Sequence, residues 1–213
     1  MTTFLPSRFF IMYRLFFSTA ALLVSFGSAH ASNIVVDGGF EDVNQPYHSW
    51  SVYNNIKGWT TVSGSGIEVR NHASGNAYEG KNFVELDSYR NSAMAQTLAT
   101  AAGTTYTLSF EYSARSGVAA DSNPISVYWN GQLLGTPMLD GTHQVGNVWH
   151  LYDYTVVGTG SDVLEFKAVG KSDSTGGSLD AICVTAVPEP ATAALMVGGL
   201  ALMGVSLGRR RQR

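Results

Sequence analysis

The chain has 213 residues, 45% of them hydrophobic, with 23 glycines, a single cysteine and a formal net charge of −3 at neutral pH. That charge conceals a division, because residues 32–186 carry seven basic against fifteen acidic side chains, a net −8, and the other six basic residues lie at the two ends. An acidic body argues against nucleic acid as a partner, since phosphate binding needs a basic surface, and the lone Cys183 excludes an intramolecular disulfide.

At the N-terminus, Arg8 and Arg14 precede an apolar segment over 15–26 and then Ala29-His30-Ala31. A basic start, a short apolar stretch and small residues flanking one position mark a secretory signal peptide over 1–31, cut by signal peptidase after Ala31. Met12 offers an alternative start, with Met12-Tyr13-Arg14 as the basic region. The 155 residues of 32–186 form one domain, long enough to bury a core.

Through this domain the pattern has period two, with apolar and aromatic runs parted by Gly, Asn, Asp and Ser and no helical stripe. Strands are predicted over 33–36, 67–70, 82–86, 93–98, 104–115, 125–129, 132–134, 148–157, 163–169 and 178–185. The strand 104–115 sends Tyr106, Leu108, Phe110 and Tyr112 to one face. Asn130-Gly131 predicts a type I′ hairpin joining 125–129 to 132–134. Residues 42–66, rich in Asn, Ser and Gly around Trp50 and Trp59, read as long loops about one short strand. About ten strands at this spacing imply an all-β fold, two antiparallel sheets packed as a jelly-roll sandwich.

Four stretches carry a resemblance: Asn-Ile-Val-Val-Asp-Gly-Gly-Phe-Glu at 33–41, Gly58-Trp59, Gly-Thr-Thr-Tyr-Thr-Leu-Ser-Phe at 103–110 and Leu-Asp-Ala-Ile-Cys-Val at 179–184. Together they resemble galactose-binding-like jelly-roll domains, which include many carbohydrate-binding modules. The resemblance implies a structural Ca²⁺ held by Glu41 and Asp180 with carbonyls near Asp37 and Gly80, a hard cation that takes six to eight oxygens. The alternative is that these acids only cap loops.

Sugar recognition asks for exposed rings that stack on a pyranose, with side chains beside them to bond its hydroxyls. The candidates are Tyr47, Trp50 and Tyr53 in one loop with His48, then Arg90 and Asn91 beside Tyr89, and Tyr128 on the face opposite Trp129. Trp59 and Trp149 read as core, whereas Trp50 fits core or surface equally. Glu85 and Asp87 share one strand face, and Glu68 and Glu111 lie on other strands, so a glycosidase-like pair is conceivable on spacing. Acids alternating with core residues are more simply solvent-facing. No Gly-x-Ser-x-Gly elbow, His-x-x-x-His spacing or Cys cluster accompanies them, and the reading is of a non-enzyme.

The chain closes with Val187-Pro188-Glu189-Pro190, an uncharged 18-residue run over 191–208, and Arg209, Arg210, Arg211 and Arg213. As a helix the run covers about 27 Å, a narrow bilayer span with the arginines on the cytoplasmic side. Motif, span and basic tail in this order over 187–213 resemble the PEP-CTERM sorting signal. The resemblance implies an exosortase as processing partner, transient inner-membrane anchoring, delivery to the cell surface or extracellular matrix, and a role beside exopolysaccharide in biofilm. Two readings remain for the domain, a binder of extracellular polysaccharide and a structural matrix protein that self-associates. A polysaccharide-degrading enzyme is a weaker third.

Overall fold

The computed structural model describes residues 32–188. The predicted signal peptide with Ala29 and Ala31, the Glu189-Pro190 half of the sorting motif and the apolar run all lie outside these residues. Among the described residues, no helix is long and apolar enough to cross a membrane.

Twelve strands form two six-stranded antiparallel sheets. In chain order they are β1 (Ser49–Tyr53), β2 (Asn55–Ile56), β3 (Trp59–Ser63), β4 (Ile67–Asn71), β5 (Asn82–Glu85), β6 (Ala93–Ala99), β7 (Thr105–Ser113), β8 (Ile125–Trp129), β9 (Gln132–Gly135), β10 (His150–Val157), β11 (Ser161–Ala168) and β12 (Ser178–Ala186). The first sheet runs β1-β4-β5-β12-β7-β10 and the second β2-β3-β6-β11-β8-β9. The predicted all-β sandwich is therefore the fold.

Alternation builds the layer between the sheets. Ile67 and Val69 of β4, Val84 of β5 and Leu108, Phe110 and Tyr112 of β7 meet Trp59, Met94, Val127, Leu164 and Phe166 from the other sheet. Phe110 stands edge-on to Phe166 with centroids 5.0 Å apart, and Trp59 lies 6.1 Å from Phe166. Asn130 and Gly131 both take positive φ, 51° and 77°, as a type I′ turn demands.

Two regions depart from the sequence expectation. Residues 49–63 hold three strands rather than one, all at or next to sheet edges, where exposed Ser and Thr blur the alternation. Residues 33–36 form no regular strand. They dock on β12 through Asn33, whose Oδ1 accepts the Val35 and Val184 amides and whose Nδ2 donates to the Ile182 carbonyl, so a side chain does the ladder's work. Beyond them Asp37 and Phe40 take left-handed φ of 51° and 61°, which no strand allows. At Gly38 a Cβ would lie 2.0 Å from the Ile182 carbonyl oxygen, so only glycine lets the segment approach.

Candidate functional site

Residues of the first sheet that alternate with the core point to its outer face. Register fixes which become neighbours: Trp50 stands opposite Arg70 and Arg70 opposite Phe83, while one step along Val52 faces Glu68 and Glu68 faces Glu85. These acids are not solvent-facing as their alternation suggests. Glu68 and Glu85 are 2% and 1% exposed, and Asp87 and Glu111 are buried as well. The cause is a lid of loops from distant parts of the chain. Arg70 Nη1 donates to the Ala73 carbonyl, Asp87 Oδ2 accepts the Asp173 and Ser174 amides, and Glu85 Oε1 accepts the Gly176 amide at 3.0 Å.

Two arginines hold the carboxylates. Arg70 Nη2 lies 2.5 Å from Glu68 Oε1 and 3.2 Å from Glu85 Oε2, and Arg115 Nη1 donates to both oxygens of Glu85 at 2.9 and 2.8 Å. Burial nevertheless outweighs them: it lifts the Glu85 carboxyl to about 7, against the pull of Arg70 and Arg115, and raises Glu68 too.

Above these charges opens a pocket of about 300 Å³ rimmed by Trp50, Tyr89, Ser74 and Ser174. Trp50 is 45% and Tyr89 68% exposed, and their rings meet edge to face 6.2 Å apart. Ser74 and Ser174 take left-handed φ of 61° and 65°, a backbone cost that recurs at functional sites. Two buried polar atoms of the pocket's residues, Arg70 Nε and Ser88 Oγ, have no hydrogen-bond partner, while Glu68 Oε1 is taken by its ion pair with Arg70. Buried donors and acceptors cost free energy unless something bonds them, so this is where a polar ligand has most to offer.

The predicted binding residues scatter around this pocket. Trp50 sits on β1, not in a loop, and reaches it. Tyr53 turns against the core and donates its hydroxyl to Gln45, a structural position. Tyr47, 66% exposed, packs on His48 and His72 with centroids at 4.0 and 4.7 Å, beyond the end of the β1–β4 ladder. Arg90 is exposed with Nη2 3.4 Å from the Gly64 carbonyl, and Asn91, which does not line the pocket, donates Nδ2 to the Gly170 carbonyl and its backbone amide to Ser172 and keeps Oδ1 buried without a partner. Tyr128 faces outward from the second sheet and cannot join Trp50. Trp149 is not core but half-buried, edge-on to Phe83. Sequence reasoning passed over Arg70, Arg115, Ser74, Ser88 and Ser174. The one available signal was that two of the domain's three arginines lie on or just after strands that also carry acids.

Glu41 and Asp180 grip one loop from opposite ends. Glu41 Oε1 accepts the Lys81 and Asn82 amides at 2.8 and 2.7 Å, and Asp180 Oδ2 accepts those of Tyr78 and Glu79 at 2.8 and 3.1 Å. Between them Gly80 has φ 60°, and a Cβ there would come within 2.4 Å of the Glu41 carboxyl carbon. Burial lifts Asp180 to about 7 in spite of its amide donors, and Asp37 keeps Oδ2 buried without a partner. No cluster of three or more His, Cys, Asp or Glu with metal-binding geometry occurs among the described residues. The donors present are all oxygens, two carboxylates flanking a loop with its own carbonyls, which suits a hard cation.

Comparison with known proteins adds four findings. Residues 186–212 match the PEP-CTERM protein-sorting motif. The chain is 29% identical over 167 residues to the multifunctional-autoprocessing repeats-in-toxin protein of Vibrio cholerae serotype O1, an alignment that takes in 78% of this chain and only 3% of that one. Its fold is similar to that of the Stig cyclase Fisc from Fischerella sp. TAU (TM-score 0.53, 14% identity, 76% of this chain and all of that one) and to part of the arabinose-bound α-L-arabinofuranosidase MgGH51 (TM-score 0.51, 12% identity, 75% and 27%). Carbohydrate-binding modules of families 35, 16 and 61 are also structural neighbours, with TM-scores of 0.47 or less.

Proposed function

We propose that this exported protein is released by exosortase at its C-terminal sorting motif and binds extracellular polysaccharide through the Trp50–Tyr89 pocket without catalysing a reaction. Export follows from the PEP-CTERM motif; passage through the inner membrane by the 191–208 run and residence in an exopolysaccharide or biofilm matrix are parts of the proposal. One observation carries the binding reading, that two exposed aromatic rings rim a pocket lined by charged and hydroxyl side chains, two of whose buried polar atoms lack a partner. A sugar ring suits both halves of such a site. Its apolar face stacks on indole or phenol, and each hydroxyl both donates and accepts, so its hydroxyls suit the Arg70 Nε donor and the Ser88 hydroxyl alike.

The site's charged groups nearly balance, the Glu68, Glu85 and Asp87 carboxyls against the Arg70 and Arg115 guanidinium groups, which favours a neutral glycan over an anionic one. Hydrolysis would need two free carboxyl groups flanking the bond. Glu85 has both oxygens engaged by Arg115 and Gly176, and the Arg70 guanidinium contacts both glutamates, an arrangement that supports binding rather than cleavage. A Ca²⁺ held by Glu41 and Asp180 with carbonyls near Asp37 and Gly80 would act structurally, fixing the loop after Tyr78 against the first and last segments of the domain. The test is a glycan array probed with residues 32–188, followed by titration with the best glycan. Retention of neutral polysaccharides that is lost with Trp50 supports the reading, and no retention of any glycan refutes it.

A further inference from the structure

Each sheet ends in two edge strands, and their lengths differ. β1, β2 and β9 have five, two and four residues, whereas β10 has eight. Natural sheets blunt such edges with proline, lysine, bulges or covering loops. β10 has none of these devices. Its register with β7 runs unbroken from His150 to Val157, while β3, β8 and β12 each show a register shift. The sequence His-Leu-Tyr-Asp-Tyr-Thr-Val-Val has no proline, lysine or arginine and one carboxylate, Asp153. Among the described residues, the backbone of 150–156 bonds to β7 and to nothing else, and the Val157 carbonyl at the strand's end accepts the Trp129 indole N–H at 3.2 Å. Leu151 and Val157 stand 64% and 54% exposed on its outward face.

We propose that β10 pairs with β10 of a second copy, antiparallel, about a two-fold axis at Tyr154. The occupant follows from the strand's own complementarity. A continuous sheet keeps outward residues on one side, so odd positions must oppose odd and even oppose even, and the axis must pass through a residue. Centring on Asp153 opposes two carboxylates, which is destabilising, and centring on Thr155 sets Asp153 against Val157. Centring on Tyr154 sets Leu151 against Val157, Asp153 against Thr155 and Tyr152 against Val156, with the two Tyr154 rings together on the inner side. Of these three registers only this one sets no carboxylate against a carboxylate or an apolar side chain, and it engages both exposed apolar side chains of the edge.

The pairing fuses the two first sheets into one of twelve strands with both Trp50 pockets on the same face. The β4 strands are then nine strand intervals apart, roughly 40 Å at about 4.8 Å each. If the pockets hold polysaccharide, a consequence that rests on the function proposed above, one dimer grips a polymer at two points and gains avidity. The pairing itself is independent of that reading and is tested without any glycan. The core and both sheets lie wholly within the described residues, so residues 32–188 serve for the experiment.

Sedimentation velocity between about 10 μM and 1 mM should show a reversible monomer–dimer equilibrium, because one strand edge is a small interface. Leu151→Lys with Val157→Lys opposes lysine to lysine and should weaken dimerisation more than tenfold with the melting midpoint unchanged. Mixing that variant with one carrying Leu151→Glu and Val157→Glu should restore a heterodimer, since position 151 of each copy faces 157 of the other. A wild type monomeric at 1 mM, a lysine variant that still dimerises, or a mixture that stays monomeric overturns the proposal.

Discussion

Glu68 and Glu85 face each other directly across neighbouring strands, and the Arg70 guanidinium touches both, at 2.5 and 3.2 Å. Two like charges in that relation repel, and both are nearly inaccessible to water. Arg70 is what permits the pair. Arg70→Met should therefore cost about 3–5 kcal/mol in denaturant unfolding, the usual result of stranding a buried charge. Adding Glu68→Gln and Glu85→Gln to Arg70→Met should recover most of the loss, and a triple variant no more stable than Arg70→Met would contradict this account.

The raised Glu85 carboxyl makes stability depend on pH in a definite direction. A group whose folded pKa lies above its unfolded value favours the fold when protonated, so its contribution is complete below about 4.5 and disappears as pH rises through about 7. Melting scans in chelator should show a higher midpoint at pH 5 than at pH 8, with an effect on the order of 3 kcal/mol from this group. Glu85→Gln should remove its share of that interval and leave the share of Asp180, whose carboxyl burial also lifts to about 7. Below pH 4 the sign reverses, since Asp162, held at about 2 by Thr100, Thr159 and Asn130, loses its bonds when protonated.

Trp50→Ala should reduce affinity for the cognate glycan at least tenfold and leave the melting midpoint within about 2 °C, because the ring is half exposed on an edge strand. Wild-type dissociation constants of roughly 10 μM to 1 mM suit a small, wet site. Tyr89→Ala should act in the same direction. Tyr128→Ala, on the opposite sheet, should change nothing, and isothermal titration of the three variants separates the faces.

A calcium ion bound only by the folded domain stabilises it by about 2.7 kcal/mol at a hundred times its dissociation constant. EDTA should lower the melting midpoint, calcium should restore it, and Asp180→Asn should abolish the response. A midpoint indifferent to both would leave Glu41 and Asp180 as clamps of the 78–82 loop through its amides alone.

Intact-mass measurement on protein recovered from its native host should find a chain beginning near Ser32 and ending close to Pro190, without Arg213. A predominant species still carrying the arginine tail would contradict exosortase release.

Most of the strands from β4 to β12 were legible because apolar residues alternate with polar ones along them, and β9 because Asn130-Gly131 announces its hairpin. β1 to β3 were not, since short edge strands of Ser, Thr and Asn have little apolar contrast. The pocket was hidden for another reason. Glu85 is buried by an amide 91 positions away, and nothing near it in sequence announces that. Trp50 was named as a candidate on residue type alone, and its direction was set by pairing with β4, which only the fold supplies.

β12 is the last strand among the described residues, yet it occupies the middle of its sheet between β5 and β7. Asn33, at the opening of the domain, bonds to the same strand across 149 and 151 positions of sequence. Folding therefore cannot finish vectorially. As the chain is made, β5 and β7 wait with unfilled edges, and the opening segment has no surface to settle on until the last dozen residues of the domain arrive. A chain of such high contact order folds slowly, and its closing step joins the two ends of the domain on one strand.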